Sequence, residues 1–96
     1  MSFLSKFLKW GLNGNVWIWF HMLFGGIGAR IGIEFFSGYV TAFIILMLAL
    51  IWEVVEYYID GKAQGMIKIY GSIERWFYDS LGDVVGAMWI ALLVIY

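Results

Sequence analysis

The chain has 96 residues, 64% of them hydrophobic and only 14% charged, with a formal net charge of −1 and no cysteine. Soluble domains run nearer half apolar and a quarter charged, so an ordinary soluble globule is excluded, and so is a disordered chain. The near-zero charge excludes a basic nucleic-acid-binding surface, and the missing cysteine excludes a disulfide scaffold.

The apolar excess lies in blocks. Trp10 to Ala29 is 20 residues without formal charge, Phe35 to Trp52 is 18, and Val84 to Tyr96 is 13. About 20 residues at roughly 1.5 Å each cross about 30 Å of hydrocarbon. The sequence therefore predicts one all-α, polytopic membrane domain over residues 1–96, with three transmembrane helices and two interfacial amphipathic helices.

Residues 1–12 carry Phe3, Leu4, Phe7 and Leu8 at helical spacing, with Ser2, Ser5, Lys6 and Lys9 on the other side. That pattern predicts a short helix lying in the interface. A signal peptide is the alternative, but its apolar region would start only after Asn13-Gly14-Asn15 and no small-residue cleavage site follows, so retention is expected. Asn13-Gly14-Asn15 is a turn and helix-start signal. Spans are predicted over 16–34, 39–59 and 79–96, and the absence of proline leaves them unkinked. Between the last two, residues 62–78 place Met66, Ile69, Tyr70, Ile73 and Phe77 on one face and Lys68, Ser72 and Arg75 on the other. This predicts a second interfacial helix, rimmed by Tyr57, Tyr58, Trp76 and Tyr78 as an aromatic belt. Three spans put Lys6, Lys9, Lys62, Lys68 and Arg75 on one side and only Arg30 on the other. The positive-inside rule then predicts a cytoplasmic N-terminus and an external C-terminus.

Ionisable side chains near the centre of a span cost about 2.5–3.5 kcal/mol each. The second span nonetheless carries Glu53, Glu56 and Asp60, whose spacing puts them on one face with Ala42, Leu46 and Ala49. The third opens with Asp79 and Asp83, followed on the same face by Gly86, and the first holds His21 with Gly25, Gly28 and Gly32. Each ionisable group shares its face with small residues, which let helix backbones approach. His21, Glu53, Glu56 and Asp83 also lie at similar depth in the cytoplasmic half, which predicts that they converge. Two carboxylates three residues apart repel unless one is protonated or a cation lies between them. Asp60 and Asp79 can instead simply reach the headgroups. Arg30 and Glu34 read as a local ion pair at the other face. Gly28/Gly32 and Gly82/Gly86 suit contacts within the chain or between copies of a homo-oligomer.

A histidine with several carboxylates suits a divalent cation, Mg²⁺, Mn²⁺ or Zn²⁺, with His21, Glu53, Glu56, Asp79 and Asp83 as candidate ligands. Such a cation at headgroup depth can hold a lipid phosphate and activate water, which makes His21, Glu53 and Glu56 the candidate catalytic residues. No covalent nucleophile is indicated: Ser80 is the only hydroxyl among the acids and has no neighbouring base.

His21, then Trp52-Glu53-x-x-Glu56-Tyr57-x-x-Asp60, then Asp79-Ser80-Leu81-Gly82-Asp83 and a small-residue helix resemble the VanZ-like and YjdF-like small membrane proteins. The likeness covers roughly Trp19 to Ala91. The chain departs from that pattern in having Val16, Trp17 and Ile18 where an acidic residue precedes the histidine, and Met88 or Trp89 where a small or polar residue is usual. The resemblance implies a role in envelope or lipid-carrier processes and functional positions at His21, Glu53, Glu56, Asp79 and Asp83. The leading expectation is a cation site acting on or binding polyprenyl or glycerolipid phosphate headgroups, with membrane lipids as partners and no nucleic acid. The alternatives are an oligomeric ion or proton conductor and a non-catalytic subunit or lysis-type protein of a membrane assembly.

Overall fold

The computed structural model describes residues 2–13, 15 and 17–96; the expected first-span start at Val16 and the Gly14 of the predicted turn lie outside them. Helix is the only regular structure among the described residues, with no strand among them. A first turn, α1 (Phe3–Lys6), capped by the Ser2 hydroxyl, runs on as a π-helical segment over Phe7–Asn13. Then follow α2 (Ile18–Gly32), α3 (Gly38–Ile59), α4 (Lys62–Tyr70) and α5 (Ile73–Ile95).

Two helices, α3 and α5, are long and apolar enough to cross a membrane. A soluble core helix passes the same composition test but is mostly covered. Here only 22% of the most apolar stretch of α3 and 39% of that of α5 is buried. Phe43, Trp52, Val54, Trp89 and Leu93 are exposed, as are Phe20, Leu23, Phe24 and Ile27 on α2. The longest dimension, 41 Å, matches about 40–45 Å of bilayer with headgroups. The shorter α2, 15 residues, spans about 22 Å at roughly 1.5 Å per residue, against the 16–34 span expected. Its chain turns at Gly32 because the backbone must reverse into the Ser37 cap of α3 within five residues.

The expected interfacial helix over 62–78 is two pieces, and the last long helix starts at Ile73 rather than 79. Gly71 sits at φ 98°, a left-handed conformation that ends α4, and the Ser72 hydroxyl accepts from Arg75 N to start α5. Ile73 and Phe77 thus belong to α5 and are exposed, as is Ile69; of the predicted face only Met66 is fully buried and Tyr70 half-buried. At the other end of α4, a Cβ on Gly65 would overlap the Asp60 carbonyl, so this short helix folds directly back on the end of α3.

Small residues set how closely the helices approach. On α2, Gly25 and Ala29 face α5, where a Cβ at Gly25 would overlap the Ala87 carbonyl. Gly28 and Gly32 face α3, meeting Ile45 and Thr41. Gly82 lies against the Gly11 carbonyl, and Gly86 against Ile18 and Met22. The glycine pairs that suited contacts within or between chains are therefore packed within this chain. The buried stripe of α3 is Thr41, Ile45, Ala49 and Glu53, a four-residue ridge; the expected Ala42 and Leu46 lie beside it, only partly buried. Ala29, Ile45 and Ala91 form the core, with Met88 and Ile95 against it.

The N-terminal segment is bound to the start of α5. Lys6 Nζ lies 2.7 Å from Glu74 Oε1, a hydrogen bond that holds the ammonium above its ordinary pKa. Phe3 and Trp10 pack on Tyr78 at 5.5 and 5.9 Å between ring centroids. Tyr57 and Trp76, two of the predicted belt residues, pack with tilted rings at 5.1 Å between centroids. At the opposite end, Tyr39 meets Tyr96, and Arg30 pairs with Glu34.

Gly25→Ala is expected to lower stability by about 1–3 kcal/mol, because the obstacle is the Ala87 backbone and not a movable side chain. Gly26→Ala, opposed by the Cγ2 methyl of Ile90 and by no backbone atom, serves as the milder control. Thermal unfolding of both variants in detergent checks this.

Candidate intramembrane cation site

Three helices each contribute one group to a buried cluster near the end of the bundle that carries Lys6 and Glu74. His21 comes from the first turn of α2, Glu53 from the covered ridge of α3 and Asp83 from the middle of α5. One ligand atom from each lies within 4.8 Å of the other two. His21 Nε2 is 3.3 Å from Asp83 Oδ2. Glu53 is 8% exposed and Asp83 4%. Glu53 Oε1 is buried and has no hydrogen-bond partner, and the same holds for Ser80 Oγ. A buried carboxylate oxygen without a donor is costly, several times the net worth of an ordinary hydrogen bond when it carries charge.

Asp83 is held from its other side. Asn15, 5% exposed, donates through its side-chain amide to Asp83 Oδ1, and also to the Gly11 and Asp79 carbonyls at 3.1 Å each. Its own oxygen accepts from the Trp17 backbone N–H at 3.3 Å. One amide thereby joins the end of the π-helical segment, the start of α2 and the acid-bearing part of α5. The wider π turn carries the Gly11 carbonyl against Gly82, where only a glycine leaves room for it. In the sequence Asn15 reads only as part of a turn. The available signal was an amide inside a 20-residue uncharged block, which must find partners once water is excluded.

Glu56 and Asp79, also expected as ligands, are not part of this triad. They face a cleft of about 750 Å³ beside it, together with His21, Asp83 and Tyr70. Glu56 lies one turn nearer the helix end than Glu53, and Asp79 one turn nearer than Asp83, so both are half-buried. Asp60 lies beyond, at the cap of α3, and is not among the cleft-lining residues. Trp17, Phe20 and Phe24 of α2 form one wall, and Leu48, Ile51, Trp52 and Val55 of α3 the other. Phe20, Phe24, Ile51 and Trp52 are themselves exposed, so the cleft opens along the side of the bundle. Among the described lining residues there is no Lys or Arg. Burial, and after it the charges of Asp79, Glu56, Asp83 and Glu53, push the Tyr70 hydroxyl above its ordinary pKa, so it remains a donor.

The donor set fits a divalent cation. Metal–ligand distances near 2.0–2.3 Å put neighbouring ligand atoms about 3–4 Å apart. The triad is already at or slightly beyond that separation, and its one orphaned oxygen belongs to a ligand. Comparison with protein-family models, curated proteins and solved structures returns no match.

Asn15→Leu strips Asp83 of its amide donor while approximately keeping volume. The expected loss is about 1–3 kcal/mol, the cost of a buried acceptor left unpaired. Pairing it with Asp83→Asn tests whether the two act together: a double mutant no worse than the worse single one is expected from unfolding curves.

Proposed function

We propose that this protein is an integral membrane protein in which His21, Glu53 and Asp83 hold a divalent cation. The supporting observation is the approach of these three ligand atoms to within 4.8 Å, with Glu53 Oε1 buried and otherwise unpartnered. In this reading α2 supplies a third crossing beside α3 and α5. Its roughly 22 Å is short, which local bilayer thinning accommodates at modest cost. The basic residues Lys6, Lys9, Lys62, Lys68 and Arg75 favour a cytoplasmic N-terminus and a cation site in the cytoplasmic half.

Such a site is suited to the phosphate or pyrophosphate headgroup of a glycerolipid or polyprenyl lipid, binding it or assisting its hydrolysis. The bound cation would neutralise the phosphate and lower the pKa of a water. The chain's own groups define the rest. Asp83, fixed by Asn15, orients His21, and the exposed apolar walls of the cleft leave room for a hydrocarbon chain beside the headgroup. The likeness of His21, Trp52-Glu53-x-x-Glu56 and Asp79-x-x-x-Asp83 to the VanZ-like proteins points the same way, toward envelope lipids.

Two measurements test this. Elemental analysis of detergent-purified protein is expected to find about one divalent ion per chain, lost in Glu53→Gln, while the variant unfolds at the same temperature or higher. A buried carboxylate that serves only packing is made no worse by that amide, so a variant that retains the metal removes Glu53 from the site. For topology, single cysteines at positions 2 and 95 are expected to label from opposite faces of sealed vesicles. Labelling from one face would eliminate the three-span arrangement.

A further inference from the structure

The triad leaves two acids of the cleft without a task. Glu56 and Asp79 face a space of about 750 Å³ whose described lining carries no Lys or Arg and no cationic group except His21 when protonated. A divalent ion at the triad offsets two negative charges. A purely anionic lipid headgroup would then still meet Glu56 and Asp79 with nothing opposite them. Like charges brought together at this depth repel strongly, because the surrounding dielectric is low. The cleft is therefore badly matched to the very phosphate that the cation would attract, unless the incoming headgroup brings positive charge of its own.

Two further features bear on its occupant. The Glu53 carboxyl, nine-tenths buried and with Oε1 unpartnered, brings one oxygen within 4.8 Å of the ligand atoms of His21 and Asp83, both of which line the cleft, so the demand for a cationic occupant extends to its floor. The walls that lead outward are aromatic and aliphatic and open along the bundle side, which admits a lipid chain without removing it from the bilayer. Trp17, Phe20 and Trp52 line the same cleft as the acids, and aromatic rings attract an ammonium group.

We propose that the cleft selects a zwitterionic aminophospholipid of the ethanolamine type. Its ammonium is received by Glu56 and Asp79, its phosphate turns toward the triad, and its chains lie along the exposed walls of α2 and α3. This rests on the cation-site reading for the phosphate only; the ammonium contact stands on Glu56 and Asp79 alone.

The test is lipid retention by native mass spectrometry of the detergent-solubilised full chain, offered phosphatidylethanolamine and phosphatidylglycerol with matched acyl chains. It is run with added Mg²⁺ and again in EDTA. Wild type is expected to prefer the ethanolamine lipid by roughly tenfold (about 1.4 kcal/mol) in both conditions, and Asp79→Asn or Glu56→Gln to lose most of that preference. Dodecylamine, which has the ammonium and a chain but no phosphate, is expected to displace the lipid. Equal retention of the two lipids by wild type, selectivity unchanged in both variants, or no displacement by dodecylamine overturns the proposal. Loss of selectivity in EDTA alone would place recognition at the metal and not at these acids, and also overturns it. Because metal content is measured separately on Glu53→Gln, failure of the cation site and failure of amine selection give different results. Should Glu56→Gln fail to fold, Asp79→Asn suffices, since Asn15 bonds the Asp79 backbone carbonyl, which that substitution retains.

Discussion

Everything at the acid-bearing end depends on how closely α5 is allowed to approach its neighbours. In lipid there is no hydrophobic drive between helices, so association comes from close packing and from polar contacts. Gly25 lets the α2 backbone come down on Ala87, and Gly82 lets the Gly11 carbonyl come down on α5. Along α5 the second lies immediately before Asp83 and the first about one turn beyond it. They bring His21 and Asn15 to opposite oxygens of the same carboxylate. Were either glycine a larger residue, the helices would stand apart and Asp83 would be left buried with fewer donors. Small residues here act on electrostatics through distance.

That geometry creates an imbalance which the chain itself does not correct. Glu53, Glu56, Asp79 and Asp83 converge around one histidine, while the cationic side chains stay at the rim. Lys6 is engaged with Glu74, Arg75 lies over the Trp10 ring, and Lys62 over the Tyr58 ring. Each of these has an aromatic or acidic partner away from the cleft. A protein that needed the acids only for folding would be better served by an Arg among them, or by amides. Concentrated negative charge with its cations held elsewhere is what a site for an exogenous cation requires.

Much of this was readable from the chain. Common depth groups His21, Glu53, Glu56 and Asp83, because helical rise converts sequence position into distance along a span; of these, His21, Glu53 and Asp83 meet. The bounds of α3 are equally legible: the expected 39–59 falls within one residue of Gly38–Ile59. What the sequence hid were features set by contact rather than by period. Gly71-Ser72 is a stop followed by a cap, yet the apolar spacing from Met66 to Phe77 runs straight across it and suggested one helix. Asn15 reads as a turn residue because two of its three acceptors, Asp79 and Asp83, lie on α5, more than sixty residues along the chain. Glu56 and Asp79 share faces with Glu53 and Asp83, but offsets of three and four residues move them along the helix by about 4.5 and 6 Å, enough to carry each out of the triad and into the cleft.

The far half of the bundle constrains what the acidic end is for. Beyond the triad, the space between α2, α3 and α5 is filled by Ala29, Ile45 and Ala91, with Met88 and Ile95 packed on them. Thr41 is the one buried hydroxyl among the described residues there, and Arg30 and Glu34 pair on the exposed surface. A path for ions through a single chain would need a succession of polar groups along this stretch, since an ion moving through close-packed methyl groups loses its hydration without replacement. The packed seam offers none. An occupant of the cleft must therefore enter and leave from the same end or through the open side between α2 and α3. Side entry suits a molecule already dissolved in the bilayer better than one arriving from water, because the walls it passes are Phe20, Phe24, Ile51 and Trp52. A blind, acid-floored cleft with apolar flanks accords with the proposed lipid-headgroup site better than with a conduit through a single chain.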